Sequence, residues 1–283
     1  MPSPVPPPAL DPLDAISRLL QERHGVDLRR FKMRCLMRRL HVRMRAVGAP
    51  DLQAYAEWLG SRPQEVQKLF DALSINFSFF FRDPGLFRIL GERVLPELAR
   101  TFPSGPLRLW SAGCAAGEEL YSLGILADQV LAPRDRPRVQ LLGTDVDEAA
   151  LEEARAAVYP QSRLTFLDKS LIGQYFHPEA GSGTLRVIGA LRQRAEFRRA
   201  DLLAPAPVSR VPLICCRNVM IYFEPRHQEQ VLEQLTAALA PAGVLALGRV
   251  ERLTGPSRRR FETLDAAERV FRKNPAGGDD SCS

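Results

Sequence analysis

Between Met33 and Val47 the apolar residues Met33, Leu36, Met37, Leu40, Met44 and Val47 recur at spacings of three, four and seven. That period predicts a helix carrying one apolar stripe. Arg34, Arg38, His41 and Arg45 fall on an adjoining face of the same helix. Helical patterning begins near Asp14 and returns at Leu52–Leu59 and Gln64–Leu73, so the first part of the chain reads as a small all-α unit.

After the Pro-Ser-Gly-Pro break at 103–106 the period changes. Strand-like runs at Leu107–Ala112, Val139–Thr144, Glu196–Asp201, Val211–Cys216 and Val244–Gly248 are separated by helical patterns at Glu118–Val130, Glu148–Ala157 and Pro225–Leu239. Such alternation argues for an α/β fold, a parallel sheet with helices on its faces. Phe261–Leu264 and Arg269–Arg272 read as a closing antiparallel pair. From about 160 to 195 the alternation is interrupted by a helical piece (Lys169–Phe176), a Gly181-Ser182-Gly183 turn and the alternating run Leu185–Ile188, which together predict a small inserted β-hairpin. The expected organisation is a disordered Pro-rich tail over 1–12, an all-α domain with linker over 13–88, a Rossmann-like domain over 89–273 and a flexible tail over 274–283.

Composition narrows the class. At 45% hydrophobic and 25% charged, the 283 residues have the balance of a soluble globular protein. No run approaches the roughly 20 apolar residues that span a bilayer, and MPSPVPPPAL has neither the basic leader nor the apolar core of a signal peptide. The five cysteines are odd in number and lack metal-ligand spacing; Cys215-Cys216, inside an apolar run, read as buried reduced thiols. The expectation is a cytoplasmic protein without a metal site and, by default, a monomer. Net charge is +6, yet residues 14–50 alone carry ten Arg/Lys against three acids, leaving the remainder near neutral. A basic module on a neutral body calls for an acidic partner. Charge alone does not choose between nucleic acid, a membrane surface and an acidic protein, and a solvated charged face is the plain alternative.

Four segments carry candidate chemistry. Trp110-Ser111-Ala112-Gly113-Cys114-Ala115-Ala116-Gly117-Glu118-Glu119 follows a strand and opens a helix, where small residues let the backbone approach a ligand. Asp145 ends the next strand, a place from which a carboxylate can accept both ribose hydroxyls of an adenosine ligand, unless it merely caps the following helix, a role open also to Asp147. Cys216-Arg217-Asn218 ends a later strand; Arg217 is read either as a pocket residue or as a buried ion-pair partner. In Asn76-Phe77-Ser78-Phe79-Phe80-Phe81-Arg82-Asp83 the aromatics suit core packing, and the polar residues at 76, 78 and 82 interrupt them.

Taken together, INFSFFFRD (75–83), WSAGCAAGEELYS (110–122), GTDVDEAALEEAR (143–155), YP (159–160), FRRADLL (197–203) and CRNVMIYF (216–223) resemble the CheR-type chemotaxis receptor methyltransferases, in order and at family-like spacing over residues 14–273. The resemblance implies a Rossmann-like S-adenosylmethionine-dependent methyltransferase sheet with a small inserted β-hairpin subdomain, preceded by a small all-α domain. It implies S-adenosyl-L-methionine as cofactor, S-adenosyl-L-homocysteine as product, and the methyl esterification of glutamates on methyl-accepting receptor proteins. Asn76, Ser78 and Arg82 would lie along the cofactor, Glu118 and Asp145 would hold its amino group and ribose, Asp201 and Leu202 would border the adenine, and Arg217 and Asn218 would complete the pocket. Arg82 and Tyr222 would stand nearest the transferred methyl, and Arg34, Arg38 and Arg45 would meet Glu-rich receptor helices. No nucleic-acid partner and no membrane insertion are implied. Departures from the family pattern include Ile75, Leu120, Pro212-Leu213 and Gly248-Arg249-Val250-Glu251; the last two bear on the pocket rim and on substrate choice. The rival readings are a methyltransferase with another acceptor and a non-catalytic adaptor that keeps the fold.

Overall fold

The computed structural model describes residues 11–24, 26–73 and 78–275. Residues 1–10 and 276–283 of the expected tails lie outside it. The described residues form two compact units divided between residues 75 and 76, except that Tyr222–Glu224 belongs to the first.

The first unit consists of α1 (Pro12–His24), α2 (Met33–Val47), α3 (Leu52–Gly60) and α4 (Pro63–Leu73). Asp11 and Pro12, read from sequence as the end of the disordered tail, instead start α1. A proline costs nothing at the first helical position, where its missing N–H would be unpaired anyway, and the Asp11 carboxylate accepts the Leu13 N–H at 2.8 Å. α2 ends at Gly48, whose φ of 74° provides the left-handed stop. Leu36, Leu40 and Met44 are buried, whereas Met33, expected in the same stripe, is 51% exposed. The buried row is therefore i, i+4, i+8, narrower than the sequence pattern. Glu65 is buried and accepts three bonds from Arg43, at 3.0, 2.8 and 2.9 Å, and one from Tyr55 Oη at 3.2 Å. Arg43 thus belongs to the unit's interior.

In the second unit, α5 (Pro84–Ile89) and α6 (Leu95–Thr101) lead into β1 (Leu107–Ala112), α7 (Glu118–Val130), β2 (Val139–Asp145) and α8 (Glu148–Ala156). An insert follows: β3 (Val158–Pro160), α9 (Lys169–Tyr175), β4 (Phe176–Pro178) and β5 (Thr184–Val187). After α10 (Gly189–Arg192) come β6 (Ala195–Arg199), β7 (Val211–Cys216), α11 (Pro225–Ala238), β8 (Leu239–Leu247), β9 (Phe261–Asp265) and β10 (Val270–Lys273). The seven-stranded sheet has the order β6-β2-β1-β7-β8-β10-β9. β6, β2, β1, β7 and β8 run parallel, and β10 and β9 close the edge antiparallel. β7 is buried along its whole length, as a strand covered on both faces must be. From β1 the chain adds strands outward on one side, then returns to add β7 and β8 on the other. The crevice outside the carboxyl ends of β1 and β7 is therefore the topological switch point, where such sheets bind ligands.

Two elements differ from the sequence pattern. β8 begins at Leu239, five positions before the apolar run at Val244, and Ala242 adopts φ 61° within it. The register shift between Val211 and Leu213 absorbs this irregularity. The insert is a three-stranded sheet, β3-β5-β4, not a simple hairpin. Its extra strand is Val158-Tyr159-Pro160, too short to show a period and paired with Thr184–Arg186 far along the chain. Among the described residues no helix is long and apolar enough to cross a membrane.

Candidate functional site

The turn after β1 is bound to β2: the N–H groups of Gly113 and Cys114 donate to Thr144 O at 2.7 and 2.9 Å. Gly113, Ala115 and Gly117 all adopt positive φ, at 82°, 48° and 91°. A Cβ on Gly113 would lie 2.4 Å from Val219 Cγ2, so glycine here lets the turn close against the loop after β7. α7 starts directly behind the turn, and the N-terminal end of its dipole gives this end of the crevice a positive potential.

Three acids face the same end of the sheet. Asp147 takes the cap of α8, accepting from Ala149 N at 3.0 Å and Ala150 N at 3.3 Å, which removes capping as the reason for Asp145. Asp145 accepts one main-chain bond on each oxygen, from Ala115 N at 2.8 Å and from Asp147 N at 3.1 Å. Each oxygen keeps lone pairs for a further donor. Burial pushes its carboxyl above the usual range, against the pull of those N–H groups. Glu118, the first residue of α7, has no exposed surface. Arg163 Nη1 pairs with its Oε1, while Oε2 has no hydrogen-bond partner among the described residues. Burial raises the Glu118 pKa to about 7 in spite of Arg163. Beside them, Ala200 N donates to Asp145 O at 2.9 Å, and Asp201 accepts Leu203 N at 2.9 Å, so Asp201 and Leu202 lie next to the end of β2.

The segment 78–83 is held by the same unit. Arg163 Nη1 donates to Ser78 O at 2.8 Å, Phe80 N donates to Arg163 O at 3.0 Å, and Phe81 N donates to Ser122 Oγ at 2.9 Å. Phe80 is fully buried and meets Tyr159 and Phe176 edge to face, with centroids at 4.9 and 5.1 Å. Phe81 and Asp83 carry φ of 53° and 64°, and Asn218 on the loop after β7 has φ 59°. Non-glycine residues pay strain in this region and keep it only where the surroundings over-determine them. Arg82 is half-buried and its carbonyl accepts Arg217 Nη2 at 3.2 Å.

Arg217 itself is engaged by the protein. Its side chain is 3% exposed and pairs with Glu119 at 2.9 Å and with Asp83. Glu119 also accepts Ser111 Oγ at 2.7 Å. Of the two readings open from sequence, the buried ion pair describes what the guanidinium does here.

The larger unit thus gathers Ser78, Arg82, Glu118, Asp145, Asp201, Leu202, Arg217 and Asn218 at one end of its sheet. Asn76 lies outside the described residues. Tyr222 belongs to the helical unit, where its carbonyl accepts Lys32 N at 2.8 Å and its ring lies 5.3 Å from the Arg39 guanidinium. On α2 the arginines divide: Arg39 and Arg43 turn inward, and Arg34, Arg38 and Arg45 are exposed together with His41. Glu119, Asp83 and Arg163 are site-building residues that sequence reasoning left unassigned. The doubled acid of Gly117-Glu118-Glu119 is the signal that could have found the first.

The donor set fits an adenosyl amino acid. The unpartnered Glu118 Oε2 suits an ammonium group, and the two Asp145 oxygens suit a vicinal diol. Comparison with known proteins agrees. Residues 76–270 match the model for the SAM-binding domain of CheR methyltransferase, and residues 11–74 match that for its all-alpha domain. The chain is 35% identical over 231 residues to chemotaxis protein methyltransferase 2 of Pseudomonas aeruginosa, covering 80% of this chain and 81% of that protein. Against the chemotaxis protein methyltransferase of Klebsiella aerogenes the identity is 34% over 252 residues, with 86% and 83% covered. An uncharacterized 104.1 kDa protein of Rhodobacter capsulatus is 33% identical over 93% of this chain, which spans 28% of that longer protein. With two models of one family matched in succession along nearly all of its described length, the chain belongs to the CheR methyltransferase family.

Proposed function

We propose that this chain methylates glutamate side chains of chemoreceptor-type signalling proteins, using S-adenosylmethionine and leaving glutamate methyl esters. The observation that carries the reading is Asp145. It ends β2 with one main-chain bond on each oxygen, and the neighbouring helix is capped by another residue. When bound, S-adenosylmethionine supplies a methyl group activated by its sulfonium. A glutamate carboxylate, with an ordinary pKa near 4.3, is ionised at neutral pH. Held in line with that methyl, the carboxylate could take it directly, a C–O bond replacing the C–S bond with no proton to move. The enzyme therefore needs no general base, and its work is positioning and desolvation of two oppositely charged reactants.

In this reading Asp145 holds the ribose, Glu118 the amino group, Asp201 and Leu202 the adenine border, and Ser78 and Asn218 the remaining rim. Arg217 supports the pocket through Glu119 and Asp83. Arg82 orients the substrate carboxylate. Exposed Arg34, Arg38 and Arg45 draw Glu-rich receptor helices to α2. The protein works as a monomer in the cytoplasm, a compartment that suits the free cysteines at 35, 114, 215 and 216.

Calorimetric titration with S-adenosylmethionine and S-adenosylhomocysteine, on the parent and on Asp145→Ala, tests the pocket. Binding of both, lost in the variant, is expected. Transfer of labelled methyl to a receptor signalling fragment, released as methanol by mild base, identifies an ester. Binding without any base-labile transfer would favour the adaptor or another acceptor.

A further inference from the structure

Four residues beyond the end of β8, Glu251 folds its side chain back across the strand end. It is 4% exposed and its carboxylate accepts four main-chain N–H bonds. Oε2 takes Gly248 N at 2.7 Å and Asn218 N at 3.0 Å, while Oε1 takes Val219 N at 3.0 Å and Met220 N at 2.8 Å. Three of the four donors are consecutive residues of the loop after β7. Successive convergent N–H groups form an anion-binding concavity; here the anion is a side chain of the same protein. Asn218 is held in the left-handed region, at φ 59°, while its N–H points at Glu251. Val219, the next residue, is the one that Gly113 must be a glycine to accommodate. Glu251 therefore fixes both the loop that presents Asn218 and, through Val219, one wall of the turn after β1.

We propose that Glu251 is a positioning residue of the cofactor pocket. It acts by clamping 218–220 against the β1 turn, and this rests on the reading of that pocket as the S-adenosylmethionine site. Bonds from N–H groups to an ionised acceptor are stronger than neutral ones, so neutralising the side chain relaxes the loop even when its shape is kept.

Glu251→Gln keeps the shape, but its amide nitrogen faces N–H donors it cannot satisfy. The Kd for S-adenosylhomocysteine is expected to rise about tenfold or more, and amide exchange at 218–220 to accelerate by a similar factor. Glu251→Asp keeps the charge on a shorter arm and should fall between parent and Gln in both readouts. It carries the same test if the Gln variant does not fold. Faster exchange at 218–220 with parent affinity would make Glu251 a fold residue only and overturn the proposal, as would unchanged exchange. A parent protein that binds no S-adenosylhomocysteine would overturn the cofactor reading and the proposal with it; parent binding unaffected by either variant would overturn the proposal alone.

Discussion

Replacing Arg217 by Met removes a guanidinium that is 3% exposed and paired with Glu119 and Asp83, while keeping most of its stem volume. The cost is then electrostatic, since two carboxylates lose their cation. Deleting one partner of a buried ion pair typically costs about 3–5 kcal/mol, because the remaining charge stays buried. Here the two stranded acids differ. Asp83 is 25% exposed and can recover hydration; Glu119 is 13% exposed and retains, among the described residues, its bond from Ser111 Oγ. The lower end, about 3 kcal/mol, is therefore expected. For a unit of about 200 residues that lowers Tm by roughly 6–12 °C. The assay is thermal and urea unfolding of the cofactor-free protein. A second substitution, Glu119→Gln on the Arg217→Met background, removes the worse of the stranded charges and should recover about half of the loss. An Arg217→Met variant that melts within about 2 °C of the parent, yet loses affinity for S-adenosylhomocysteine, would refute the reasoning. The guanidinium would then serve the ligand and not the fold.

Other outcomes follow from the same geometry. The Glu118 pKa, raised from 4.5 to about 7 by burial, means the folded state holds a proton that the unfolded state releases. Its contribution to stability is full below 4.5 and is lost as pH rises through about 7. An ammonium group at Oε2 favours the ionised form, so S-adenosylhomocysteine binding at about pH 6 should release a proton, and Glu118→Gln should not. Calorimetry in two buffers of different ionisation enthalpy reads this, and equal apparent enthalpies in the parent would refute it. The triple variant of Arg34, Arg38 and Arg45 to Ala should raise the receptor KM about tenfold at low salt and leave cofactor affinity unchanged. A salt titration should show that difference shrinking; a salt-insensitive parent would count against it. Arg82→Ala should cut kcat about a hundredfold while changing cofactor affinity little, and equal losses in both would remove its assignment to the substrate carboxylate.

Much of the architecture was legible because it is local. The runs Leu107–Ala112 and Val211–Cys216 and the helix Glu118–Val130 match the observed bounds, since a fully buried strand and a helix entered from a glycine turn leave their mark in adjacent residues. The extra strand of the insert was not legible, for three residues carry no period. Nor was the start of β8, where Pro241-Ala242-Gly243 reads as a break yet is carried inside the strand by a register shift.

At the site, the sequence alone determined which residue types were available and in what order: the small-residue turn at 113–117, the acid ending β2, the Arg-Asn pair ending β7 and the basic face of α2. Which of them perform what was decided by contacts between distant positions. Arg217 meets Glu119 and Asp83 only once β1 and β7 lie side by side. Asp145 is spared the helix cap because Asp147 takes it. Arg39 and Arg43 turn inward because Ala72 O and the Glu65 carboxylate lie there to receive them, while Arg34, Arg38 and Arg45, one face of the helix already on the chain, stay exposed. Glu251 drew notice only as part of a departure from the family pattern, yet it binds three successive amides some thirty residues away. Periodicity is a property of neighbours along the chain, whereas charge compensation and hydrogen bonding are satisfied by whatever the fold brings near.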